Sequence, residues 1–68
     1  MSDPELKKRI IQFLKDSYPK DFNIQEVADE LGIHRNTMST YLKVLHAEKK
    51  ITLSRKIGKM NMYVFEKE

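Results

Sequence analysis

The side chains with most chemistry to offer lie between His34 and Lys43. Arg35, Asn36, Ser39, Thr40 and Lys43 bring a guanidinium, an amide, two hydroxyls and an ammonium into one short stretch, and no acid interrupts them. Asn36, Thr37, Ser39 and Thr40 are mediocre helix formers. Yet they are crowded where Met38, Tyr41, Leu42 and Leu45 recur at helical spacing. A surface helix built for stability alone takes Ala, Glu or Lys at such sites. On a helical wheel Met38, Leu42 and Leu45 face inward. Asn36, Thr40, Lys43 and Ala47 face outward, with Arg35 and Ser39 on one shoulder. This outward face is short, neutral or cationic, and rich in donors and acceptors. It suits a helix in the major groove of a duplex, where Asn pairs with adenine and Arg with guanine through two hydrogen bonds each. Thr40 can touch a thymine methyl or accept one hydrogen bond, and Lys43, a turn further on, reaches a phosphate. The plain alternative is a solvated polar helix face.

The charge distribution favours the first of these. Residues 1–33 hold five basic and seven acidic side chains, whereas residues 34–68 hold eight basic and three acidic. A net charge of +3 segregated in this way gives the molecule one attractive side for a polyanion.

Catalytic chemistry finds no support. The only glycines are Gly32 and Gly58, so there is no phosphate-cradling loop. No Ser or His stands at triad-like spacing with a supporting acid, and no carboxylate pair lies among apolar residues. There is no Cys for a thiolate, a disulfide or a metal site. His34 and His46 sit about 18 Å apart along one helix, too far to share a metal. We therefore expect no enzyme activity, no cofactor and no small-molecule ligand. Sixty-eight residues make a single domain, 1–68, with a small core and marginal stability. No apolar run approaches the roughly 18 residues needed to cross a bilayer. The opening MSDPELKKR lacks the apolar stretch of a secretory signal. A cytoplasmic protein is the expectation.

Three helices and a hairpin must position the polar stretch. Helix 1 spans about 3–17, opened by a Ser2–Glu5 capping box or by Asp3 with Pro4 at the first helical position. Leu6, Ile10, Phe13 and Leu14 form its stripe. Helix 2 spans about 24–31, with Asn23 and Glu26 as a capping box and Gly32 as its left-handed terminator. Helix 3 spans about 34–48 and crosses helix 2 steeply after a short glycine turn, with Ile33 plugging the corner. From Ile51 the apolar period changes to two, giving a hairpin over about 51–66 with a turn at Lys56–Lys59. Tyr63 and Phe65 are preferred as its inward pair over Met62 and Val64. The fold class is α+β, a three-helix bundle followed by a hairpin.

The stretch QEVADELGIHRNTMSTYLKVL resembles the helix-turn-helix of winged-helix transcriptional regulators. Glu26-Val27-Ala28, Leu31-Gly32-Ile33, Thr37, Met38, Ser39, Leu42 and Leu45 carry the likeness. ITLSRKIGKMNMYVF is similar to their wing, so the resemblance covers residues 4–66. It implies sequence-specific binding of double-stranded DNA by a small prokaryotic regulator or its DNA-binding domain. It implies base or phosphate contacts from Arg35, Asn36, Ser39, Thr40 and Lys43. It also implies contacts from a wing tip carrying Arg55, Lys56 and Lys59. The residues themselves offer further phosphate contacts at His34, which otherwise serves only as a weak cap, at Thr37, and at Tyr41, whose ring otherwise simply packs at the border of the core with its hydroxyl outward. Two departures stand out. His34 occupies a cap position where Ser or Thr is usual, and Lys50 stands where Gly often precedes the wing, which puts Lys50 at an unusual backbone angle.

Two questions stay open at this level. Ile11 and Tyr18 widen the apolar side of helix 1, either as a homodimer seam or because the returning hairpin strand covers them; the second is preferred. A winged helix can also serve as a protein-docking module, or bind RNA or single strands, although the latter calls for clustered exposed aromatics.

Overall fold

Asp3 starts the first helix by accepting a hydrogen bond from the Glu5 N–H at 3.0 Å, with Pro4 at the first helical position. A computed structural model describes residues 3–67; Ser2, the other candidate cap, lies outside them, as does Glu68. The elements are α1 (Pro4–Ser17), α2 (Ile24–Leu31), α3 (Arg35–Ala47), β1 (Ile51–Ile57) and β2 (Met60–Phe65). The core gathers Ile10 and Leu14 of α1, Val27 and Ala28 of α2, and Met38, Tyr41, Leu42 and Leu45 of α3. Ile51 and Tyr63 of the hairpin close it.

The two helices of the turn end in the same way. At α2 the Gly32 N–H donates to Asp29 O and the Ile33 N–H to Ala28 O, with Gly32 at φ 66°. At α3 the Lys49 N–H donates to His46 O and the Lys50 N–H to Leu45 O, both at 3.0 Å. Each is the paired C-terminal motif that needs one left-handed residue. In α3 that residue is Lys49, at φ 63°, and not Lys50 as the sequence suggested. The helix stops one residue earlier than expected, so the strained position moves with it.

Ties between distant segments fix the bundle. Arg9 Nη2 donates to Leu31 O at 3.3 Å, covering the end of α2. Lys7 pairs with Glu48 at 2.9 Å. The Tyr41 hydroxyl accepts a hydrogen bond from the Asp3 N–H at 2.8 Å, which fastens the start of α1 to the middle of α3.

The hairpin departs most from expectation. Phe22, read from sequence as part of a connector, exchanges two backbone hydrogen bonds with Tyr63, at 2.9 and 2.7 Å. β2 is therefore flanked on both edges, by β1 and by the Phe22 segment. Tyr63 and Phe65 do pack on the core, Phe65 only in part. Met62 and Val64 are buried as well, outside that cluster and on the other side of the strand. The pairing register places Arg55 opposite Met62 and slips between Leu53 and Arg55. Arg55 Nε reaches Asp21 Oδ2 at 2.9 Å, beside Phe22 on the far edge. To do so the side chain crosses β2 on the face of Met62 and Val64, and this shelters them. Of the two residues left open, only Ile11 is covered within the chain. Ile11 is half-buried against the core, and the Tyr18 ring, though exposed, stands edge-on to Phe65 at 6.3 Å.

Candidate nucleic-acid interface

α3 presents its polar face outward. Arg35, Asn36, Thr37, Thr40 and Lys43 are exposed, and Ser39 is half-buried. The four core residues on the opposite side hold this orientation. His34 caps the helix by accepting the Asn36 N–H on Nδ1 at 3.1 Å. That bond requires Nδ1 to be unprotonated, which leaves the proton of the neutral ring on Nε2. Thr40 Oγ1 donates to Asn36 O at 3.3 Å. Its hydroxyl hydrogen is thereby used within the helix, leaving the methyl group and oxygen lone pairs for a partner. Among the described residues the Asn36 amide has no protein hydrogen bond, so both its donors and its acceptor are free.

Electrostatics follow the same plan. Among the described residues the ion pairs are Lys7–Glu48 and Arg55–Asp21. Arg35, Lys43, Lys56 and Lys59 thus keep their full charge for a partner. Arg55 does not. Its guanidinium is turned to the base of the hairpin and holds the Asp21 carboxyl below its usual pKa, chiefly by the side-chain hydrogen bond. Arg55 therefore fixes the hairpin, and the cationic tip consists of Lys56 and Lys59. Tyr41 is likewise placed inward, buried on the core side with its oxygen accepting from Asp3. Its hydroxyl proton is still free to be donated.

The fold brings α3 and the hairpin tip together. A cleft of about 90 Å³ lies between them at the start of α2, lined by Asn23, Gln25, Arg35, Lys59, Met60 and Asn61. Sequence reasoning placed Arg35 and Lys59 in one interface but missed the amides of Asn23, Gln25 and Asn61 beside them. His46 is an exposed residue in the last turn of α3. Eleven positions after Arg35 puts His46 about 20° away on the wheel, and the ring is exposed, edge-on to Tyr63 at 6.2 Å. The wheel alone could have shown that stripe of Arg35, Ser39 and His46. Among the described residues no cluster of three or more His, Asp or Glu could hold a metal ion, and no helix is long and apolar enough to cross a membrane.

Three helices, a glycine turn between the second and third, and an antiparallel hairpin following the third define a winged helix-turn-helix. Residues 17–52 match the family described as HTH DNA binding domain. The match takes in just over half of the chain, from the end of α1 through α2 and α3 to the start of β1, and the chain belongs to that family. Neither the curated proteins nor the solved structures offer a match to it. DNA binding is the activity that family membership carries, and it is the chemistry for which the outer face of α3 is equipped.

Proposed function

We propose that this chain is a sequence-specific regulator of transcription or the DNA-binding domain of one. It binds with α3 laid in the major groove of double-stranded DNA. One observation carries the reading: the acid-free outer face of α3 from Arg35 to Lys43, exposed and held outward by a buried face of four residues. Asn36 reads adenine and Arg35 guanine through paired hydrogen bonds. Thr40 offers its methyl to thymine, and Ser39 supplies a hydroxyl at the groove edge. Lys43, Lys56 and Lys59 neutralise phosphates, with His34 Nε2–H and Thr37 donating at the first turn of α3. Most of the affinity comes from displaced counterions, and so falls steeply with salt. The setting that fits is the cytoplasm of a prokaryotic cell.

Selection from a random duplex pool, followed by titration of the selected site, tests this. Asn36→Ala is expected to weaken binding to that site by about 1–3 kcal/mol and to relax preference at one base pair. Parent-like affinity and specificity in the variant would remove α3 from the groove.

A further inference from the structure

From Leu53 to Ile57 the outer half of β1 is exposed. Toward the tip, the last backbone bonds that join β2 to anything but β1 are those between Tyr63 and Phe22, among the described residues. Past that rung, side-chain hydrogen bonds tie the hairpin to the body of the protein at two places. One is the 3.7 Å contact of Asn23 Nδ2 with Met60 Sδ, and a thioether sulfur is a weak acceptor. The other is Arg55 with Asp21.

This second tie is prepared at both ends. Ser54 is the extra residue where the pairing register slips, and such a bulge re-aims the side chains beside it. Arg55 leaves the bulge, crosses β2 and meets Asp21 with Nε 2.9 Å from Oδ2 and Nη2 3.5 Å from Oδ1. Two donors of a planar guanidinium set against one carboxylate fix a direction as well as a distance. Asp21 is itself anchored, because Phe22 beside it pairs with Tyr63 and Asn23 after that caps α2. Arg55 chiefly, and the Ser54 hydroxyl to a lesser degree, hold the Asp21 carboxyl below its usual pKa.

Folding has little need of this pair. The Arg55 side chain is 62% exposed, and ion pairs open to water add little to stability. An acid beside the hairpin also works against the attraction of a polyanion. What the pair does set is the angle of the tip. Lys59 stands across a cleft of about 90 Å³ from Arg35, and a swing of the tip changes the distance between the two cations.

We propose that Asp21 is a positioning residue for DNA binding: held by Arg55, it clamps the outer half of the hairpin to the start of α2 and keeps Lys59 in place across the cleft from Arg35. The proposal rests on the reading of α3 given above. It makes an acid a requirement for affinity toward a polyanion. Cations already in place need no ordering when the duplex arrives, and such ordering weakens binding where it is needed.

Asp21→Asn separates the clamp from plain electrostatics, because the two predict opposite signs. The substitution removes a negative charge and releases Arg55. If Asp21 only competes with phosphate for Arg55, binding to the selected duplex tightens and the salt dependence steepens by about one unit. The clamp requires the reverse. Binding weakens by about fivefold, the scale of one long side chain ordered on association, and the salt dependence is unchanged. In the free protein, the heteronuclear 15N NOE of the Lys56 to Met60 amides falls, while the values in α1 and α3 stay as in the parent. The exchanged pair, Asp21→Arg with Arg55→Asp, keeps the net charge and is expected to bring back both affinity and tip order. Tighter binding by Asp21→Asn, or tip amides as ordered as in the parent, overturns the clamp and leaves the α3 reading standing. Weaker binding that the exchanged pair leaves uncorrected also overturns it, as a general loss of structure. A parent that selects no duplex overturns the α3 reading, and the clamp's part in binding falls with it.

Discussion

α2 and α3 are neighbours in one motif, and they are built to opposite rules. α2 begins with a complete capping box, in which Asn23 Oδ1 accepts the Glu26 N–H at 2.8 Å and Glu26 Oε1 accepts the Asn23 N–H at 2.9 Å. Its outer surface is acidic, and it ends on glycine. α3 begins on a histidine, has no acid in its first turn, and ends with a lysine in the left-handed region. α3 keeps a cap bond and the paired C-terminal motif, but with a histidine and a lysine where α2 has the better residues, and it lacks an acid in its first turn. An acid near the N-terminus would help the helix dipole but repel phosphate. A small polar residue lowers helix propensity but lets the backbone come close to base edges. α2 is built for support, and α3 carries its exposed polar face at some cost to its own stability.

Exchanging features between the helices probes this contrast. The largest effect is expected from Thr40→Glu, which gives the face of α3 an acid like those of α2. Like charges set against each other cost several kcal/mol, so binding to duplex should fall by about 100-fold or more. The thermal midpoint should move little, because Thr40 is exposed. Unaltered anisotropy titrations would break the comparison. Next come the helix ends. Gly32→Ala should destabilise by about 1–2 kcal/mol, the cost of a side chain in left-handed backbone, since no neighbouring atom crowds the site. Lys49→Gly should stabilise by about 1 kcal/mol for the same reason. Urea unfolding must show opposite signs, or the two ends are not equivalent. Third, Asn23→Ala should cost about 1 kcal/mol of stability, and His34→Ala less, because the imidazole is the poorer cap. The smallest effect concerns Asp21. Arg55 lowers its pKa in the folded state, so their pairing contributes stability above about pH 4, the unfolded carboxylate range. That contribution fades as the pH falls through the lower folded value. Asp21→Asn should flatten this part of the acid-unfolding curve, and an unchanged curve would deny the pair any role in folding.

The contrast also explains what could be read from the chain alone. Asn23, Glu26 and Gly32 announce themselves because their partners are within a few residues. The inward spacing of Met38, Leu42 and Leu45 is equally local, so the third helix and its polar face were legible. The Arg55–Asp21 pair was not legible because the two are distant in sequence, and no local pattern distinguishes a bridging arginine from a free one. Phe22 looked like a connector since a single pair of strand bonds has no period. The strain at Lys49 was assigned to Lys50 because the end of α3 is marked by no glycine. On α3, the exposure of Arg35, Asn36, Thr40 and Lys43 on one face followed from residue type and wheel position. The cleft amides of Asn23 and Asn61 were not legible, since folding alone makes them neighbours.

The double hydrogen bond between Phe22 and Tyr63 has one further consequence, for the order in which the chain folds. It encloses α2, α3 and β1 in one long loop, and the entropy of closing such a loop must be met before the contact gives anything back. The local helices can assemble earlier. The Phe22 and Tyr63 amide protons should therefore exchange with solvent only when the whole chain opens, and their protection measures the stability of the entire molecule.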